Sequence, residues 1–274
     1  MKSNFTLILI LLTIVSLSCT KKTCNTSIPG NAVPFEYDEK QQRAILLKGL
    51  LNDSIPQNVF LDTGYPGELC VSDNFRGQFG SDTCSLRLGR NLYYCKYIEY
   101  LDHNNKFFEY FGANTIMIGQ FFFTNRIIEI SYKSKYIREL TDTTGLDSFK
   151  CIPIDSMAHF LKIPVEIYMQ GKKIEADVRL DTGSNGLLDL RKSAEAYSIS
   201  KDSAQYVVDF SFSGSHQKYF LHCDSIKVGY AITPTYPVGF SSKMNLLGNV
   251  FLENFDVVID LKHCNLYLKP NEQK

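Results

Sequence analysis

The tetrapeptide Asp181-Thr182-Gly183-Ser184 has a close copy, Asp62-Thr63-Gly64-Tyr65, 119 residues earlier in the chain. Aligned without gaps, Val59, Leu61, Asp62, Thr63, Gly64, Gly67 and Leu69 fall on Val178, Leu180, Asp181, Thr182, Gly183, Gly186 and Leu188. A single Asp-Thr-Gly means little, because Asp-Gly turns are common at strand ends. Two copies with agreeing flanks point to a chain built twice. Further on, Met117-Ile118-Gly119-Gln120-Phe121 stands to the first copy as Leu246-Leu247-Gly248-Asn249-Val250 stands to the second. The register then continues, with Asn125 on Asn254, Ile128 on Val257 and Ile130 on Ile259. Each half therefore ends in an apolar strand, residues 127–132 or 255–261. With two copies only, the repeat predicts a pair of lobes about a pseudo-twofold axis.

Local patterns place each Asp at the end of a strand. Residues 44–50 and 55–61 flank the turn-forming Asn52-Asp53-Ser54 and read as a hairpin. Residues 164–169 and 174–180 repeat it around Gln170-Gly171-Lys172. A carboxylate there is fixed by the strand ladder, while the Thr-Gly turn lets backbone N–H groups approach it. Residues 86–100, rich in Leu, Tyr, Ile and Cys, read as sheet. Residues 190–197 read as a short helix, and residues 209–220 as a hairpin around Ser213-Gly214-Ser215. Thr141 to Asp147 is a turn-rich break, which places a boundary near residue 145. Residues 149–154 read as a short strand able to cross between lobes.

The chain of 274 residues, 44% apolar and 13% aromatic, is long enough to bury a sizeable core. Basic and acidic residues number 29 each, which gives no electrostatic footprint for nucleic acid. Residues 1–19 carry a targeting pattern: Lys2, an apolar run over residues 5–15, and Ser16-Leu17-Ser18-Cys19 as a small-residue cleavage site. A cysteine directly after such a site resembles a bacterial lipobox, with Cys19 as the lipidated N-terminus. Residues 20–34 have no hydrophobic period and read as a tether. The expected location is the cell envelope, periplasmic or on the outer membrane, reached through the lipid.

Competing chemistries find little support. Seven cysteines besides Cys19 are an odd number, and their pairing cannot be deduced from sequence. His222-Cys223 and His263-Cys264 could suggest zinc, but adjacent strand residues point to opposite faces and all four cannot easily converge on one ion. There is no G-x-S-x-G and no H-E-x-x-H.

In its doubled Asp-Thr-Gly and its two apolar-apolar-Gly segments, Ile118-Gly119 and Leu247-Gly248, the chain resembles the pepsin-like and retropepsin-like aspartic proteases. The match covers most of residues 44–268. The resemblance implies an all-β, bilobal fold with double-psi-type β-barrel lobes and few short helices: residues 35–145 as the N-terminal lobe and 146–274 as the C-terminal one. It implies Asp62 and Asp181 as a catalytic pair meeting in the cleft. Like charges at that distance resist joint ionisation, so the pair would hold one proton and act as acid and base together. Thr63 and Thr182 would interlock the turns, Gly64 and Gly183 would support the carboxylates within the same turns, and Ser184 would hydrogen-bond Asp181. Tyr65 departs from the family, which carries Ser or Thr there. A flap over the cleft is expected within residues 86–100, with Tyr93, Tyr94, Tyr97 and Tyr100 as candidates to touch substrate, and residues 209–220 as a second flap-like element. No cofactor and no metal are expected, the partner is a peptide or protein substrate, and the expected state is a monomer. Two functions stand at this point: an aspartic endopeptidase anchored in the envelope, or a catalytically weak relative that binds an extended peptide between its lobes.

Overall fold

A computed structural model describes residues 28–40, 43–79, 83–155, 160–211, 214–234 and 236–271. The first half comprises β1 (Val33–Glu36), β2 (Leu46–Leu51), β3 (Ile55–Leu61), β4 (Leu69–Ser72), β5 (Cys84–Leu88), β6 (Asn91–Cys95), β7 (Ile98–Leu101), helix α1 (Lys106–Phe111), β8 (Thr115–Ile118), β9 (Ile127–Ser131) and β10 (Tyr136–Leu140). The second comprises β11 (Lys150–Pro153), β12 (Lys162–Met169), β13 (Lys172–Leu180), β14 (Leu188–Asp189), β15 (Gln205–Ser211), β16 (Gly214–His222), β17 (Ser225–Val228), β18 (Ala231–Pro234), β19 (Pro237–Phe240), β20 (Leu246–Leu247), helix α2 (Asn249–Leu252), β21 (Phe255–Asp260) and β22 (Asn265–Pro270). β1 takes in Val33 and Pro34, the last two residues of the segment expected to be a tether.

Around the two Asp-Thr-Gly turns the halves repeat one another strand for strand. Hairpin β2–β3 turns through Asn52 and Asp53, at φ +49° and +57°, and β12–β13 through Gln170 and Gly171, at +50° and +70°. Paired left-handed residues match the twist of the flanking strands, which is why Asn, Asp and Gly occupy these sites. β3 lies parallel to β8, pairing Leu61 with Ile118, and β8 lies antiparallel to β4, pairing Ile118 with Leu69. In the second half Leu247 sits in the same way between Leu180 and Leu188. Gly119 and Gly248 share one backbone conformation, φ −109°, ψ −167° against φ −108°, ψ −169°. A Cβ on Gly119 would run into the carbonyls of Tyr65 and Gly67, and one on Gly248 into those of Ser184 and Gly186. Glycine is required at both by close backbone approach.

The halves are joined by a sheet of order β11-β22-β21-β9-β10-β1, whose centre pairs Ile128 with Ile259 and Ile130 with Val257. Because Ile128 and Val257 are repeat equivalents, as are Ile130 and Ile259, these two pairs exchange under the pseudo-twofold axis. After the break at residue 145 the chain enters β11, which pairs with β22 of its own half. The joining sheet continues through β1 into the first lobe, while β12 to β20 form a separate nine-stranded sheet. One core spans both halves and includes Leu61, Ile118, Leu180 and Leu247. A satellite core lies in the first lobe alone, where α1 places Phe107 and Phe108 over Phe60, Cys70 and Met117. Fully burying Phe60 and Phe107 contributes about 2–3 kcal/mol each.

Three local expectations change. The hairpin within residues 86–100 exists as β5–β6, but β5 pairs with β2 at Gly49–Leu51, the end remote from Asp62, and Gly89 at its tip packs against Val33 of the joining sheet. It is therefore not a flap. Tyr93 is buried against Phe122, Tyr100 packs near Phe79 and Arg76, and Tyr94 and Tyr97 are exposed. Cys84 and Cys95 face each other across this hairpin with their thiols hydrogen-bonded. Residues 190–197 are not an α-helix, because the Leu190 N–H prolongs the sheet to the Gly239 carbonyl and only Ala194–Tyr197 forms a 3-10 turn. The hairpin β15–β16 pairs Ser211 with Gly214, so Gly214 and Ser215 belong to the strand rather than to the turn.

Candidate active site

Each Asp follows a strand whose last residue is locked on two sides. The Asp62 N–H donates to the Ile118 carbonyl and the Asp181 N–H to the Leu247 carbonyl, both at 3.0 Å. The turns then engage each other. Thr63 N–H donates to Thr182 Oγ1 and Thr182 N–H to Thr63 Oγ1, at 3.0 Å each. Each hydroxyl donates onward, Thr63 to the Leu180 carbonyl at 3.0 Å and Thr182 to the Leu61 carbonyl at 3.1 Å. All four bonds are buried, and both threonines are fully buried. A valine at either position would leave a buried N–H and a buried carbonyl of the opposite half unpaired.

This interlock brings the carboxyls of Asp62 and Asp181 into a hydrogen bond with each other. The glycines make room: a Cβ on Gly183 would lie 2.5–2.7 Å from the Asp62 carboxyl, and one on Gly64 would collide with that of Asp181. Burial raises the affinity of Asp62 for a proton well above that of an ordinary carboxylate, and the charge of Asp181 and the bond to it add to this. Burial raises Asp181 too, opposed by the Arg179 guanidinium, by the bond from Asp62 and by the N–H groups of Gly183 and Ser184. Burial and mutual repulsion hold one proton on the pair, which titrates as one unit.

The position after each glycine departs from expectation. The Ser184 hydroxyl accepts from Gly186 N–H at 3.2 Å, and it is the Ser184 backbone N–H that reaches the Asp181 carboxylate. A hydroxyl two residues before an N–H forms this local turn readily. Tyr65 likewise serves Asp62 through its backbone, N–H to Oδ1 at 3.0 Å. Its ring lies against Gly67 and Gly119 and enters the satellite core, with the hydroxyl buried near Cys70 and Glu99.

Two residues of the site carry no sequence signal of their own. Asn249, fully buried, donates to the Thr182 carbonyl at 2.7 Å and accepts from the Tyr132 hydroxyl at 2.6 Å, tying the second turn to the joining sheet. The position after each Gly of the repeat, Gln120 or Asn249, marks it in retrospect. Arg179 sits two residues before Asp181, on the same face of β13. A cation in an otherwise apolar strand end was its only mark.

His222 and Cys223 close β16, whereas His263 lies in the β21–β22 turn with Nδ1 2.8 Å from Asp260 Oδ2. The two His-Cys pairs thus belong to different sheets. The expected lipid attachment at Cys19 lies outside the described residues.

No protein-family model matches the sequence, and no curated protein matches it. Among solved structures, the crystal structure of the aspartic proteinase from Irpex lacteus superposes with a TM-score of 0.54, covering 88% of this chain and 97% of that one at 13% sequence identity. The likeness is one of fold, and the chain has the bilobal all-β fold of a pepsin-like aspartic proteinase.

Proposed function

We propose that the chain is an aspartic endopeptidase in which Asp62 and Asp181 activate a water. The observation that carries this reading is the pair of Asp-Thr-Gly turns interlocked by their threonines, with each Asp carboxyl lying against the glycine of the opposite turn. The ionised carboxyl of the pair takes a proton from the water, whose oxygen attacks the scissile carbonyl carbon while the protonated carboxyl gives its proton to the carbonyl oxygen. The carboxyl that took the water's proton then passes it to the amide nitrogen, the C–N bond breaks as a gem-diol hydroxyl returns its proton to the other carboxyl, and the pair again holds one proton. No covalent intermediate forms. Gly64, Gly183, Thr63, Thr182 and the backbone N–H groups of Tyr65 and Ser184 position the carboxyls. The departure at Tyr65 leaves this arrangement intact, because both carboxyls are held at that position by backbone N–H groups.

The test is cleavage of quenched peptides by the purified chain across pH 3–8, with and without pepstatin. Pepstatin-sensitive hydrolysis that disappears in Asp62→Asn and Asp181→Asn supports the reading. Peptide binding without hydrolysis would assign the fold to a binding module. We place the enzyme in the cell envelope, held by a lipid on Cys19, a reading that rests on the pattern of residues 1–19. Release of Cys19→Ala from the membrane fraction is the expected result; unchanged membrane association with an uncleaved N-terminus would contradict it.

A further inference from the structure

Beside the carboxyl pair lies a cation that makes no contact ion pair with any carboxylate of the described residues. Arg179 precedes Asp181 by two positions on β13, so both side chains leave the same face of the strand. Its charge acts on both Asp181 and Asp62. Its guanidinium lies 3.8 Å from the centre of the Phe160 ring, and Nη1 donates to Met244 Sδ at 3.3 Å. A thioether is a weak acceptor, and Nε is buried with no partner at all. No described carboxylate forms an ion pair with it, although most half-buried arginines of the chain have one, as Arg43 has Glu253, Arg126 has Glu139 and Arg138 has Glu129. Its cross-strand neighbour is a second cation, Lys162. The equivalent position in the first lobe is Phe60, sealed beneath α1. No helix intervenes between β19 and β20 to do the same for Arg179.

We propose that Arg179 recognises an anionic group of the bound chain close to the scissile bond, an Asp or Glu side chain or a free C-terminal carboxylate. A planar guanidinium with free donors suits a carboxylate, and stacking on Phe160 fixes the plane of the fork. The electrostatics agree. A singly protonated carboxyl pair carries one negative charge and would repel an acidic substrate; the positive charge of Arg179 offsets it at close range. This inference rests on the peptidase reading and names the substrate class of that same site.

The test uses the purified full chain and variants of one quenched parent peptide. In one set Asp replaces a neutral residue at each position around the cleaved bond; in the other, the bond lies near a C-terminus that is free or amidated. At one position the acidic peptide should exceed the neutral one in kcat/KM by at least about tenfold. The ratio should fall to about one in Arg179→Met and be partly kept in Arg179→Lys. Arg179→Gln provides a second neutral head should the Met variant misfold. A preference confined to the free C-terminus assigns the site to the terminal carboxylate, and one confined to internal Asp assigns it to a side chain. No acidic preference in the wild type, or one that survives Arg179→Met, overturns the proposal. The same peptides are titrated onto Asp62→Asn with and without Arg179→Met. Arg179-dependent binding of acidic peptides without cleavage by the wild type overturns the peptidase reading and supports the anion site. Cleavage without acidic preference does the reverse. Neither cleavage nor Arg179-dependent binding overturns both.

Discussion

In the first lobe the turn at Asp62 rests on apolar material: Phe60, the Tyr65 ring and Cys70 pack beneath α1. In the second lobe the equivalent positions are Arg179, Ser184 and Asp189, and Asp189 forms a buried ion pair with Lys218 of the β15–β16 hairpin at 2.9 Å. The backbones of the two turns make the same bonds, to within about a tenth of an ångström at the threonines. Symmetry is therefore kept where two chains touch backbone to backbone and lost one side chain away. The consequence is electrical. A pair of carboxyls in symmetric frames meets an asymmetric field, because the second lobe holds a cation and the first an apolar floor.

The largest expected effect falls on the pair itself. Asp62→Asn and Asp181→Asn should each lower the rate by about 10²- to 10⁴-fold, since one carboxyl cannot be acid and base in the same step. Both should also make the fold more stable at pH 7. A carboxyl whose folded proton affinity is raised contributes stability below its unfolded pKa, about 4, and loses it as pH rises through the folded pKa. The amide removes that loss, so the gain should vanish below about pH 4. Urea melts of wild type and both variants from pH 3 to 8 check the sign, and equal stability at every pH would show that the carboxyls are not coupled.

Substitution at the next equivalent pair should separate the lobes. Phe60→Ala empties a sealed aromatic site and should cost about 3–5 kcal/mol, whereas Arg179→Ala should cost about 1 kcal/mol or less. Equal losses in denaturant titrations would break the contrast between apolar floor and open cation. Tyr65→Ser and Ser184→Ala extend it: the first removes a ring from the seam between Gly67 and Gly119 and should cost about 3 kcal/mol, the second only a local turn bond, about 1 kcal/mol. Tyr65→Ser should not raise activity, because the Tyr65 N–H already serves Asp62. A faster Tyr65→Ser enzyme would show that a hydroxyl is wanted there after all.

The threonines sharpen the symmetric side of the comparison, with the smallest expected difference. Thr63→Val and Thr182→Val each strand a carbonyl and an N–H of the opposite turn. Each should cost about 2–4 kcal/mol, and the two should agree within about 0.5 kcal/mol. Thermal melts showing one far worse than the other would mean that the interlock is not shared equally.

The parts of this structure legible in the sequence are those enforced by short-range backbone geometry. Gly119 and Gly248 are written as glycines because two carbonyls occupy the space of a side chain, and Asn52-Asp53 and Gln170-Gly171 because left-handed turns admit few residues. The parts that were not legible depend on distant partners or on the local path of the chain. Nothing in residues 84–95 tells that β5 will pair with Gly49–Leu51 and carry its hairpin away from the cleft. The Ser184 hydroxyl closes a local turn with the Gly186 N–H, a bond set by the chain's path after Gly183. Arg179 reads as an ordinary polar residue until the fold sets its charge beside Asp62 and Asp181 without a contact ion pair among the described residues.

The most direct measurement of the central claim is the titration of the Asp62 and Asp181 carboxyl carbons by NMR, in wild type and in each Asn variant. The account predicts that one proton of the pair is held far above the ordinary Asp range near 4, and that replacing either residue moves the titration of the other. Two independent titrations near 4, each unmoved by substitution of its partner, would contradict it.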